Sequence, residues 1–170
     1  MEQYHLKDQL TQAEISERIA VLHRFKVLLM QQRNKFAEYL QVLEAQENSI
    51  ASEDVDKIVE HSQLGQSLVS EISMIQKVIV PIENLYKDIR TKSPDFLHSA
   101  FRDEVNETEH IQKDLQHLKA TVLEQNQKNA ERLKNHMSGL RQQIADLKLR
   151  RTATSPFSSD DTASLIDINA

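Results

Sequence analysis

Residues 11–54, TQAEISERIAVLHRFKVLLMQQRNKFAEYLQVLEAQENSIASED, decide the fold. Within them Ile15, Leu22, Leu29, Phe36, Leu43 and Ile50 recur at seven-residue intervals. A half-buried strand alternates every second residue and a loop has no period. An apolar heptad repeat of this length therefore belongs to a long helix with a partner along its length. Thr11-Gln12-Ala13-Glu14, just ahead of the repeat, is a capping box. Ile19, Phe25, Tyr39 and Leu40 widen the stripe. Behind it, Ala51-Ser52 reads as a minimal turn, with Ser52 as the next N-cap and Glu53 and Asp54 in the first turn, where negative charge suits the helix dipole. So short a connection makes the second helix an antiparallel neighbour.

From Glu53 onward the apolar positions are Val55, Ile58, Val59, Leu64, Leu68, Val69, Ile72, Ile75, Val78, Ile79, Ile82, Leu85 and Ile89, a band wide enough for two neighbours. Gly65 inside it marks a close approach or a weak spot. Pro81 removes one backbone donor, which predicts a kink near residues 77–81 rather than a stop. Ser93-Pro94 suits an N-cap followed by a first helical position. The third helix then carries Leu97, Phe101, Val105, Ile111, Leu115, Leu118, Val122, Ala130, Leu133, Met137, Leu140, Ile144 and Leu147. The expected organisation is an N-terminal segment 1–10, helices over about 12–50, 53–92 and 94–151, and a flexible tail 152–170. The fold class is all-α: an elongated antiparallel three-helix bundle or coiled coil, with an overhanging C-terminal helix and a disordered tail.

The lengths do not match. At 1.5 Å per residue the helices measure roughly 58, 60 and 85 Å. The third helix passes the first turn near residue 133 and continues for roughly 25 Å. Along that stretch Leu133, Met137, Leu140, Ile144 and Leu147 keep helical spacing with no internal partner left. Each side chain left open forgoes roughly 1.5 kcal/mol or more of burial. A partner helix, a second copy or the chain folding back is expected to cover them. Folding back needs a hinge at Gln125-Asn126-Gln127-Lys128-Asn129, where the stripe turns polar; the alternative there is a polar layer that sets register.

Charge and composition exclude several classes. The net charge of −5 argues against binding nucleic acid through phosphate neutralisation. Residues 128–151 are basic, with Lys128, Arg132, Lys134, Arg141, Lys148, Arg150 and Arg151 against Glu131 and Asp146. That block suits a helix C-terminus or faces a partner. As a membrane-surface helix it lacks Trp and Phe. No apolar run spans a bilayer, Met1 to Leu10 is no secretory signal, and cysteine is absent, so the expected location is the cytoplasm. Two isolated glycines leave no phosphate-binding or nucleophile-elbow motif. Glu107-Thr108-Glu109-His110 is half of a di-iron signature without a counterpart on the other helices. The seven histidines form no zinc pair, and a three-helix rod offers no deep concavity for catalysis. A non-enzyme without cofactor or metal is expected. In the tail, Leu165, Ile166 and Ile168 form an apolar cluster that reads as a chance sticky end or a short docking motif, with Phe157 as a further docking candidate.

Residues 10–150 resemble the FlgN family of flagellar export chaperones. Two stretches carry the similarity: the hairpin Leu43-Glu44-Ala45-Gln46-Glu47-Asn48-Ser49-Ile50-Ala51-Ser52-Glu53-Asp54-Val55-Asp56-Lys57-Ile58, and Asn126-Gln127-Lys128-Asn129-Ala130-Glu131-Arg132-Leu133 at the entry to a C-terminal amphipathic segment. The resemblance implies a cytoplasmic chaperone. It would hold the C-terminal helical segment of the hook–filament junction proteins FlgK and FlgL, prevent premature assembly, and deliver them to export-gate or export-ATPase components. The row Leu133, Met137, Leu140, Ile144 and Leu147 then serves as the client-binding face, in a helix-in-groove mode. The alternative reading is a structural coiled-coil adaptor that self-associates through its C-terminal helix.

Overall fold

The computed structural model describes residues 11–92 and 102–153. The chain is all-α: α1 spans Gln12–Ala51, α2 Val55–Lys92 and α3 Arg102–Ala153, and no strand occurs among the described residues. This is the three-helix arrangement that the apolar period predicts. The expected helix start at Ser93-Pro94, and the positions Leu97 and Phe101, lie outside the described residues. The chain divides into two compact units, Met1–Ala130 and Glu131–Ala170.

In the first unit, α1 opens with the predicted capping box. The Glu14 carboxylate accepts from the Thr11 backbone N–H at 2.7 Å, and Thr11 Oγ1 accepts from the Glu14 N–H at 3.3 Å. The turn to α2 differs from expectation. Ser52 is the C-cap of α1, not the N-cap of α2, and α2 begins at Val55 rather than Glu53. Two backbone bonds explain the shift: Asp54 N–H donates to Ser49 O at 3.0 Å and Glu53 N–H to Ile50 O at 3.2 Å. Together they make a Schellman closure, which needs a left-handed residue at the position that Glu53 fills with φ 56°. Asp54 is then the residue free to cap α2, accepting from the Lys57 N–H at 3.2 Å.

The α1 stripe points inward. Leu22, Leu29, Leu43 and Ile50 are buried, and Ile15 and Phe36 are half-buried. The α2 band is narrower than its composition predicts. Leu68, Ile72 and Ile79 are buried and Ile58, Ile75, Ile82 and Ile89 half-buried, but Val55, Val59, Leu64, Val69, Val78 and Leu85 are exposed. The apolar residues that face the neighbours fall at alternating three- and four-residue steps, and Tyr86, on that register, is buried where Leu85 is not. Gly65 is a close approach: a Cβ there would sit 3.2 Å from the Tyr39 ring. α2 continues as helix through Pro81.

α1 and α2 run antiparallel, as Lys35–Glu71 (3.0 Å) and Gln46–Ser62 (2.9 Å) require. α3 runs parallel to α1 at a constant offset of sequence. His23 meets Glu104, Lys26 meets Glu107 at 2.7 Å, Arg33 meets Asp114, and Glu47 meets Lys128 at 2.9 Å. Exposed pairs of this kind contribute about 0–1 kcal/mol each, so they align α3 more than they hold it. The core that holds it joins Leu22, Phe25 and Leu29 of α1 to Ile79 and Tyr86 of α2 and Ile111 and Leu115 of α3.

Backbone approaches within 8 Å concentrate on the α1–α2 pair. α3 is reached by longer side chains, and a cavity of about 130 Å³ lies among Phe25, Leu29, Gln32, Ile79, Leu115 and Lys119. Burial there pushes the Lys119 ammonium below its ordinary pKa, while its charge sits 5.3 Å from the Phe36 ring centroid. Polar layers complete the seam. Gln32, 1% exposed, donates to Gln76 at 2.6 Å. Asn129, 2% exposed, donates to Leu43 O at 2.7 Å and to Gln46 Oε1 at 3.1 Å, and accepts from Gln125 at 3.0 Å. Residues 125–129 are thus a helical polar layer, with no turn.

Candidate helix-docking surface

The second unit contains α3 from Glu131 through Ala153. These residues form helix for local reasons: straight-chain Arg, Lys, Gln and Leu dominate, no Pro interrupts, and Arg150 and Arg151 complement the dipole in the last turn. Gly139 is the one weak former, and a Cβ there would meet nothing within 4 Å. Its absence of side chain therefore serves no close packing among the described residues.

The expected row lies in this unit. Leu133 is half-buried, whereas Met137, Leu140, Ile144 and Leu147 are 46%, 54%, 52% and 59% exposed. Leu149 is also exposed. Single exposed leucines are ordinary on a protein surface. Five apolar residues at steps of four, three, four and three form one continuous stripe of a helix, which is the pattern of a seam with a partner.

The row is offset by one residue from the heptad count of the bundle seam. Up to Asn129, the inward positions of α3 are Thr108, Ile111, Leu115, Leu118, Val122, Gln125 and Asn129. Continuing a strict alternation of three- and four-residue steps would arrive at Arg132, His136, Gly139, Gln143 and Asp146. The apolar residues each fall one position later, through three successive four-residue steps from Gln125 to Asn129 to Leu133 to Met137. One added residue of this kind offsets the drift of a straight helix away from a strict heptad repeat. The row therefore has its own heptad count, a feature that the spacing contained and that the burial of Asn129 made readable.

Other candidates resolve into structural roles. Glu107 is engaged by Lys26, which holds its carboxyl below the ordinary value, and His110 faces Asp114 at 3.2 Å. Among the described residues, no group of three or more His, Cys, Asp or Glu side chains is arranged to hold a metal. No helix among them is long and apolar enough to cross a membrane. A groove of about 300 Å³ beside the α1–α2 turn is lined by Tyr39, Leu43, His61, Gly65, Val69 and Asn126. The tail residues Phe157, Leu165, Ile166 and Ile168 lie outside the described residues.

Comparison with known proteins adds one relative. A protein of Treponema pallidum (strain Nichols), described as uncharacterized, is 32% identical over 156 residues, covering 92% of this chain and 94% of the relative. The chain belongs to the same family as that protein. No family model matches the chain. No solved structure matches it either.

Proposed function

We propose that this chain, with the family it shares with the Treponema pallidum protein, is a non-enzymatic holder of an amphipathic helix, working as an export chaperone of the FlgN type. The observation that carries this reading is the apolar row from Leu133 to Leu147, of which Met137, Leu140, Ile144 and Leu147 are exposed. Burying such side chains contributes roughly 1.5–3 kcal/mol each. A client segment that becomes helical on docking loses about 2–5 kcal/mol to ordering, so the complex is firm but reversible. Met137 lets the surface repack around more than one sequence. In this reading the clients are the C-terminal helical segments of FlgK and FlgL in the cytoplasm. The first unit serves as the folded body, and export-gate or export-ATPase components receive the complex.

Removal of residues 134–170 tests it. The shortened chain should keep its α-helical circular dichroism and its oligomeric state while losing capture of FlgK and FlgL C-terminal peptides in a calorimetric titration. Full-length protein that forms a stable oligomer, dissociates on this truncation and binds no client peptide would instead establish the self-assembling adaptor.

A further inference from the structure

The flanks of the C-terminal row carry one sign of charge. With Leu133, Leu140 and Leu147 at heptad position d and Met137 and Ile144 at a, each leucine is followed at e by a cation: Lys134, Arg141 and Lys148. The g positions hold His136, Gln143 and Arg150. All six are exposed. Neither flank holds a carboxylate, because Glu131 and Asp146 fall at the outer positions b and c. Residues at e and g face the partner's flanks in a helical seam and decide which partner is accepted.

A second copy meets this face badly. Antiparallel pairing sets e against e, cation against cation. Parallel pairing sets the e cations against His136, Gln143 and Arg150 and creates no opposite-charge pair. The chain's own tail carries Asp160, Asp161 and Asp167, but Phe157, Leu165, Ile166 and Ile168 do not follow the three-and-four spacing of the row.

We propose that the occupant of this face is a helix of another protein with an apolar a/d stripe and carboxylates at the flanking positions opposite Lys134, Arg141 and Lys148. The inference rests on the helix-holding reading and adds the sign of the client's flanks. Complementary flanks also raise the association rate and reject helices of the wrong charge.

The test uses the full chain and two synthetic three-heptad helices, identical at a and d, one with Glu and one with Lys at e and g. The Glu-flanked helix should bind at least about tenfold more tightly at low ionic strength, and added salt should narrow the gap. The triple variant Lys134→Glu, Arg141→Glu, Lys148→Glu should reverse the preference, which also shows that the variant is folded. Equal binding of both helices overturns the charge inference and leaves the helix-holding reading standing. Binding of neither overturns both. A dimer in sedimentation that Leu140→Glu dissociates assigns the face to a second copy. Affinity at least about tenfold higher after removal of residues 154–170 assigns it to the tail; either result overturns the proposal.

Discussion

Tyr86 carries a buried hydroxyl with no hydrogen-bond partner in good geometry among the described residues. Its ring is 3% exposed and packs on Phe25 with centroids 4.6 Å apart. The Arg90 guanidinium lies 5.8 Å from the ring centroid, and burial pushes the phenol above its ordinary pKa. An unsatisfied buried polar atom costs about 1–3 kcal/mol. Tyr86→Phe keeps the ring and removes that atom, so chemical denaturation should find the variant as stable as the parent or up to about 1 kcal/mol more stable. A clear loss of stability would mean that the hydroxyl is bonded to Arg90 in solution. Hydropathy passes over this residue and favours Leu85, which is 49% exposed. Burial here follows the three-and-four register, and Tyr86 is on it.

At the scale of the element, the α1–α2 turn shows how close sequence reading comes and where it stops. The residues Ser52, Glu53 and Asp54 mark the boundary, but their roles depend on which backbone carbonyls remain to be closed. Once Glu53 takes the left-handed position, Asp54 caps α2, and the Lys57 N–H holds its carboxyl below the ordinary 3.8. A carboxyl depressed in the folded state stabilises the fold above its ordinary pKa and ceases to do so as pH falls through the folded value. Asp54→Asn retains an acceptor without titrating. Its thermal midpoint should change little at neutral pH and should fall less steeply than the parent's between about pH 5 and pH 2. Superimposable acid limbs would show that the cap does not form. The same dependence on context governs residues 125–129, where the sequence left a turn and a polar layer both open. The buried Asn129 side chain, bonded to Leu43 O and Gln46, makes it a layer.

At the scale of the molecule, two apolar populations differ in what they do. Leu29 is 4% exposed in the core of the first unit, and Leu140 is 54% exposed in the second. Leu29→Ala should lower the unfolding free energy by about 2–5 kcal/mol. Leu140→Ala should leave it within about 0.5 kcal/mol, as expected for a side chain more than half exposed, while weakening peptide capture. Urea midpoints measure both. Equal losses would mean that the row is part of the folded core and not a docking face.

The sequence by itself determined the three helices, the capping box, the inward face of α1 and the position of the apolar row after residue 130. Each is a local property, written in periods of three and four and in which residues can satisfy a helix end. Only the tertiary structure decided which half of the α2 band is buried, that Gln32 and Asn129 form polar layers, and that α3 aligns with α1 through pairs such as Lys26–Glu107. Those outcomes depend on contacts between residues far apart in sequence, 44 positions for Gln32 and Gln76 and 81 for Lys26 and Glu107, and a single helix period contains no information about its partner's register.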